Sequence, residues 1–247
     1  MGDGGWGGIG YMEIVPGLYR LPGVDQGVNA YVWQPRGEAD AGGPMLFDTG
    51  WPWSGRGLVA SLVALGCQPE EVQAIAITHD DVDHTGRLAS LQAVSAAEVI
   101  AHELEAPRLA RDRWREPPGT TAAFRLVGGI FDRFYSRFQH SPVRVGRPVR
   151  DGDALPGGWI AIHTPGHTPG HTAYYHPGLR TLIAGDALRS TRSGRLRFPM
   201  RLYTEDSAEA ARSIRKLAAL EPEVICFGHG PVLRDAAGVL RKFAEAL

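Results

Sequence analysis

The sequence predicts an α/β fold (α+β by segregation of its elements) in which two sheets pack on one another with helices outside. Three observations predict it. Runs rich in β-branched and aromatic residues come in two batches, and each batch ends in helix-like segments. The 247 residues are 43% hydrophobic and 21% charged, which suits a globular chain long enough to bury a large core. No internal repeat and no linker-like stretch divides the chain, so one domain is expected over 13–247.

Residues 1–12 are glycine-rich and are expected to be a flexible segment. Pro and Gly then separate apolar runs at 13–21, 29–34 and 45–48, which read as strands and hairpins. Ser54 is placed to cap a helix running to Leu65, with Gly66 as its stop. Residues 73–78 read as a buried strand that ends at His79. Residues 88–94 read as a helix and 97–101 as a strand. An Arg-rich, mostly helical insertion is expected over about 102–140, broken at Pro117-Pro118-Gly119. Strands are expected again at 143–149, 159–163, 172–175, 181–184 and 224–227, with helices at 205–220 and 238–247.

Net charge is −1, from 26 basic and 27 acidic residues, which argues against a dedicated nucleic-acid or membrane-surface protein. The two cysteines, Cys67 and Cys226, cannot build a disulfide framework and fit a reducing compartment. No apolar run approaches the ~18–20 residues of a membrane span. The N-terminus lacks the basic and apolar regions of a signal peptide. The expectation is a cytoplasmic protein acting on a small molecule, with no nucleic-acid or membrane partner.

Four segments carry chemistry. The run Thr78-His79-Asp80-Asp81-Val82-Asp83-His84 places His79, Asp81, Asp83 and His84 directly after a buried strand. A loop there can fold such residues around a metal, whereas a continuous strand would split them between two faces. In His163-Thr164-Pro165-Gly166-His167-Thr168-Pro169-Gly170-His171, Pro and Gly build tight turns that hold imidazoles in place. Leu182-Ile183-Ala184-Gly185-Asp186 delivers a carboxylate at a strand end, and Val224-Ile225-Cys226-Phe227-Gly228-His229 delivers an imidazole. A lone Asp or His at a strand end is more often structural than catalytic. Four such loops together offer nitrogen and oxygen ligands suited to Zn, Fe or Mn, in numbers sufficient for two ions.

This order of motifs resembles the metallo-β-lactamase superfamily. The matches are Asp48 in Phe47-Asp48-Thr49-Gly50, the cluster at 79–84, His167, Asp186 and His229, spread over about 13–235. The resemblance implies a four-layer αββα sandwich with two divalent metal ions at the sheet edges, zinc being the family's usual metal. It implies one site of His79, Asp81 and His167, a second of Asp83, His84 and His229, and Asp186 between them. Asp48 is then a carboxylate that orients the ligand loop. His163 and His171 match no ligand position and are read as hydrogen-bonding or rim residues, His171 supporting the ligands.

The chain departs from the family at Asp81, where a second histidine is usual. Asp81, Asp83, Asp186 and a bridging hydroxide balance the charge of two divalent ions, whereas histidine at 81 would leave one positive charge over. An extra anionic oxygen makes the ions weaker Lewis acids and favours Fe or Mn over Zn. Arg87 replaces a common glycine. Arg189 stands where similar lactonases carry a tyrosine, which counts against acyl-homoserine lactone hydrolysis. The 18 residues after His229 are too few for the C-terminal region with which glyoxalase II-like enzymes hold glutathione. Asp186 in place of cysteine counts against the antibiotic-hydrolysing branch with a cysteine ligand.

The resemblance implies a binuclear hydrolase in which a metal-bridging hydroxide attacks an ester, thioester, lactone or phosphoester, with Asp83 as proton shuttle. The alternative is an iron-dependent oxidoreductase on the same fold, persulfide dioxygenase-like or di-iron. Residues 108–150 hold ten arginines against Asp112, Glu116 and Asp132, a net +7, and a second basic run follows at Arg189, Arg192, Arg195, Arg197 and Arg201. A basic rim would draw an anionic substrate. Phe124, Phe131, Phe134, Tyr135 and Phe138 recur at helical spacing and are read as packing residues. The segment that carries them fits a lid, a dimer surface or a solvated face. Cys226, on an apolar strand, is expected to be buried and inert.

Overall fold

The computed structural model describes residues 12–24, 27–36, 42–111 and 141–247. In chain order the first strands are β1 (Met12–Val15), β2 (Leu18–Arg20), β3 (Tyr31–Trp33) and β4 (Met45–Phe47). Helix α1 (Gly55–Ala64), β5 (Ala74–Ala76), the short α2 (Val82–Thr85), α3 (Leu88–Ser95), β6 (Glu98–His102), α4 (Ala106–Leu109) and β7 (Arg147–Val149) follow. These seven strands form one sheet in sequential order, antiparallel from β1 to β4 and parallel from β4 to β7. Parallel neighbours need crossovers, and the helices sit in those connections.

The second half contains β8 (Ile160–His163), β9 (Thr172–His176), β10 (Thr181–Gly185) and a small hairpin of β11 (Arg189–Ser190) with β12 (Leu196–Arg197). Helix α5 (Ser207–Ala218), β13 (Val224–Phe227), β14 (Leu233–Arg234) and α6 (Ala236–Glu245) complete it. The second sheet has the order β14-β13-β10-β9-β8, with only β10 and β13 parallel among its pairs.

Side-chain alternation along the strands builds the layers. Met45 and Phe47 of β4, Ala74 and Ala76 of β5 and Ile100 of β6 face the second sheet, where they meet Trp159, Ala161, Tyr174, Ile183 and Cys226. Trp159 anchors this layer, its ring 4.8 Å from Phe47 and 5.8 Å from Trp33. The intervening Leu46, Ile75 and Val99 face outward onto Leu58, Leu62, Leu88 and Leu91 of α1 and α3. On the other side, Leu182, Ile225 and Phe227 pack on Ile214, Leu217 and Leu240 of α5 and α6. The layers run helix, sheet, sheet, helix, which is the αββα sandwich expected.

Several expectations are revised locally. Ser54 precedes α1, but its side chain makes no capping bond and its buried hydroxyl has no hydrogen-bond partner. Gly66 ends the helix in a left-handed conformation, φ +76°, as a glycine stop should. The strand expected over 143–149 is reduced to β7. Val143 and Val145 are buried without being strand. Of the insertion expected over 102–140, residues 112–140 lie outside the described residues, and so do Phe124, Phe131, Phe134, Tyr135 and Phe138. Residues 1–11 of the segment expected to be flexible lie outside them as well, while Met12 opens β1. Among the described residues no helix is long and apolar enough to cross a membrane.

Candidate metal centre

One edge of the sandwich collects the chemistry. The parallel strands β4 and β5 end there and deliver Asp48 and His79, while β10 and β13 end there and deliver Asp186 and His229. Because β9 runs antiparallel to both β8 and β10, the loop from His163 to His171 lies at the same edge. The sheets are tied together at this point. Thr172 donates its N–H to Thr78 O at 2.9 Å, and Tyr174 Oη donates to Ile77 O at 2.7 Å.

Two groups of ligand atoms result, each with all members within 4.8 Å of one another: His79, His167 and Asp186, and Asp83, His84 and His229. Asp81 belongs to the first, its Oδ2 lying 3.3 Å from His79 Nε2 and 3.1 Å from His167 Nε2. Asp186 reaches both. Its Oδ1 is 3.5 Å from His84 Nε2, and its Oδ2 is 3.3 Å from His229 Nε2 and 3.9 Å from His167 Nε2. Asp83 Oδ2 lies 3.3 Å from His229 Nε2 and 3.9 Å from His84 Nε2. All seven residues expected as ligands are therefore brought together. His79 and His84 are fully buried, and His229 is the most exposed of the imidazoles at 30%.

The tautomers are set by neighbours. His79 Nδ1 faces Thr78 Oγ1 at 2.9 Å, and that hydroxyl spends its own proton on Asp48 Oδ2 at 2.8 Å. His79 must therefore donate from Nδ1, which leaves the Nε2 lone pair aimed at the cluster. His84 Nδ1 donates to Asp48 Oδ2 at 2.7 Å and His229 Nδ1 to Gly27 O, with the same consequence. Asp48, in a left-handed conformation at φ 59°, also takes the Thr78 N–H on Oδ1 at 2.9 Å. It thus bonds to both the loop at Thr78 and the imidazole of His84. His171 donates to Thr164 Oγ1 at 2.7 Å and accepts the Asp186 N–H on Nε2 at 3.0 Å. Its lone pair is used on the backbone, so it holds Asp186 in place. His163 donates to Pro169 O and stacks on His102 at 4.0 Å, outside the cluster.

The residues fit divalent ions on three grounds. His79 Nε2, His84 Nε2 and Asp186 Oδ1 are buried without a hydrogen-bond partner, which would be costly for groups meant to stay unpaired. Two ligand atoms each ~2.0–2.1 Å from a tetrahedral ion stand about 3.3–3.4 Å apart, and four of the separations above fall at 3.1–3.3 Å. The field also calls for cations. Burial works against a charged imidazole, yet Asp48, Asp83 and Asp186 together push His84 up to about 9. Asp186 and Asp83 overcome burial at His229 in the same way, raising it well above its usual range. His229, His84 and His167 hold Asp186 well below the carboxylate range despite its burial.

Sequence reasoning missed Thr78 and Thr164, the hydroxyls that fix His79 and His171, although each stands beside or near the histidine it serves. Of the arginines read as a basic rim, Arg108 and Arg150 are held in ion pairs with Asp80, Glu205 and Glu103. Arg87 braces the turn after Asp48 by donating to Pro52 O at 3.1 Å, and Arg189 Nε donates to Phe198 O. Cys226 is fully buried, and burial pushes its thiol far up.

A family model for the metallo-beta-lactamase superfamily matches residues 23–229. The chain is 29% identical over 197 residues to the probable metallo-hydrolase YflN of Bacillus subtilis (strain 168), covering 75% of each chain. Among solved structures, the metallo-beta-lactamase family protein TTHA1429 from Thermus thermophilus is 29% identical, with a TM-score of 0.70 over 95% of this chain and 80% of that one. TTHA1623, solved in a di-iron-bound form, is 27% identical, with a TM-score of 0.63 over 85% and 91%. The fold, the motif order and these matches agree: the chain belongs to the metallo-beta-lactamase superfamily of metallo-hydrolases.

Proposed function

We propose that the chain is a hydrolase that works with two divalent ions and cleaves an ester, thioester, lactone or phosphoester. The observation that carries this reading is the convergence of four histidines and three aspartates from both sheets, with Asp186 reaching both groups. His79, Asp81 and His167 would hold one ion, Asp83, His84 and His229 the other, and Asp186 both. Bound there, the ions supply Lewis acidity and, by lowering the pKa of water to about 7, a nucleophile at neutral pH. Asp83 is the proton acceptor of this reading. Burial opposes its ionisation, but His84 and His229 keep its carboxyl below the usual range, so Oδ2 is free of a proton at neutral pH. Asp48 keeps His84 from rotating, and His171 keeps the Asp186 backbone from retreating. No serine or cysteine nucleophile is needed.

The carboxylate at 81 and the di-iron form of TTHA1623 favour iron or manganese, and they support the second reading, an iron-dependent oxidoreductase. An anionic substrate is supported by the exposed Arg192, Arg195 and Arg197 on the β11–β12 hairpin. This hairpin is joined to the His229 segment by the Ser190 N–H to His229 O bond.

The test is metal content by plasma mass spectrometry on protein purified without a histidine tag, followed by an ester, thioester, lactone and phosphoester panel. About two ions per chain, with turnover lost on chelation and restored by adding metal back, is the expected result. One iron per chain, oxygen uptake with a persulfide and no hydrolysis would replace the proposal with the oxidoreductase. With an anionic substrate, kcat/KM should fall steeply as salt rises.

A further inference from the structure

A buried polar cluster outside the candidate ligands spans the two loops that carry five of the seven. Glu105, just ahead of α4, is fully buried. Its Oε1 accepts from Thr168 Oγ1 at 2.5 Å and from the Gly170 N–H at 3.0 Å, which fastens it to the loop presenting His167. One turn later Arg108 Nε donates to Asp80 Oδ2 at 2.9 Å and lies 3.7 Å from Glu105 Oε2. Its Nη2 donates to Glu205 Oε1 at 2.9 Å, and the Glu205 N–H donates to His167 O at 3.2 Å.

The connections are asymmetric. Asp80 lies between His79 and Asp81, and Thr168 follows His167. Every histidine and aspartate of the first group except the shared Asp186 is thus next to a residue gripped by Glu105 or Arg108. The second group is gripped by other means, Asp48 at His84 and Gly27 O at His229. The chain also keeps room for the grip. A Cβ at Gly170 would lie 2.8 Å from Glu105 Cγ and 2.9 Å from its backbone nitrogen.

We propose that Glu105 and Arg108 form a clasp that sets the spacing of His79, Asp81 and His167, and that they are positioning residues for one of the two ions. The proposal rests on the metal-centre reading above. One guanidinium faces three carboxylates here, Asp80, Glu105 and Glu205. Burial first, and Asp80 next, push Glu105 up to about 8. Glu105 grips the loop through one oxygen that accepts from Thr168 Oγ1 and the Gly170 N–H, and a glutamine side-chain oxygen can accept both bonds in the same way.

The experiment strips the full chain with a chelator and titrates Zn2+ against a chromophoric competitor, with circular dichroism on each variant. Wild type takes up two ions. Glu105→Leu weakens one ion by about ten- to a hundredfold and leaves the other nearly unchanged. Glu105→Gln restores the wild-type pattern. Thr168→Val, a smaller lesion, weakens the same ion by less, and it decides the matter if Glu105→Leu does not fold. Unchanged binding in a folded Glu105→Leu or in Thr168→Val overturns the clasp alone, as does equal weakening of both ions. Glu105→Gln behaving like Glu105→Leu also overturns it. A wild-type chain that takes up no metal overturns the clasp together with the metal-centre reading.

Discussion

At the scale of single residues, the centre depends on small groups that leave space. Gly228 stands between β13 and His229, and a Cβ there would collide with Asp186 Oδ1 and come 2.7 Å from His84 Cε1. No real contact of a Cβ is that short, so the absence of a side chain is a condition for bringing Asp186 and His84 together. The backbone bonds of Gly228, its N–H to Gly185 O and its O to the Asn29 N–H, do not involve the side-chain position. Gly228→Ala should therefore fold but bind the ion of Asp83, His84 and His229 about ten- to a hundredfold more weakly. Metal content per chain, with a melting curve as a control for folding, checks it. Full occupancy of both sites would mean that Asp186 and His84 can shift away from the added methyl without losing the ion. The candidate ligands were legible in the sequence because four strand-end segments together offer enough nitrogen and oxygen donors for two ions, although any one of them alone reads as structural. Gly228, Thr78 and the Gly27 carbonyl were not, because glycines, threonines and backbone oxygens occur everywhere and gain meaning only from what folds against them.

At the scale of elements, the same contrast appears in α4 and its neighbours. The strands were legible because apolar runs such as 224–227 and 181–184 are bounded by Gly and Pro, and buried strands need such runs. The β11–β12 hairpin was not legible, since Arg-Ser and Leu-Arg carry no alternation long enough to read. Nor was the clasp, because Glu105 and Asp80 are 25 positions apart and look like ordinary surface acids. Their burial gives Glu105 a pH signature. The groups facing it are Asp80 and Arg108, with Glu205 behind the arginine. Its ordinary value of 4.5 applies to the unfolded chain, and its folded value is about 8. A carboxyl raised on folding stabilises fully below the unfolded value, and this contribution is lost as pH rises toward the folded one. Glu105→Gln does not titrate, so its melting temperature relative to wild type should rise from pH 5 to pH 8 and level off above. Parallel melting curves for the two proteins, recorded without metal, test this. A constant difference across the range would mean that Glu105 is ionised in the folded state.

At the scale of the whole molecule, the centre lies where the two sheets meet, and the two halves of the chain contribute to it unequally. His79, Asp81, Asp83 and His84 hang from the first sheet, and His167, Asp186 and His229 hang from the second. Each group of ligands contains members from both sheets. An ion in either group would therefore cross-link the layers, and unfolding would scatter its ligands. Without metal, Asp48, Asp83 and Asp186 favour the protonated form of His84 against its burial, and Asp186 and Asp83 favour that of His229, a proton that a bound ion would displace. Anything that binds only the folded state stabilises it, by about 2.7 kcal/mol per site at a hundred times Kd. For a chain of this size each kcal/mol moves the melting point by about 2–4 °C, so filling both sites should raise it by on the order of 10 °C. Thermal melts of chelated protein, with and without Zn2+ or Mn2+ added back, measure the shift. The gain should come in two steps as metal is added, because the two groups are fastened separately. A chain that carries two ions by mass spectrometry yet melts at the same temperature without them would show that the ions do not join the sheets.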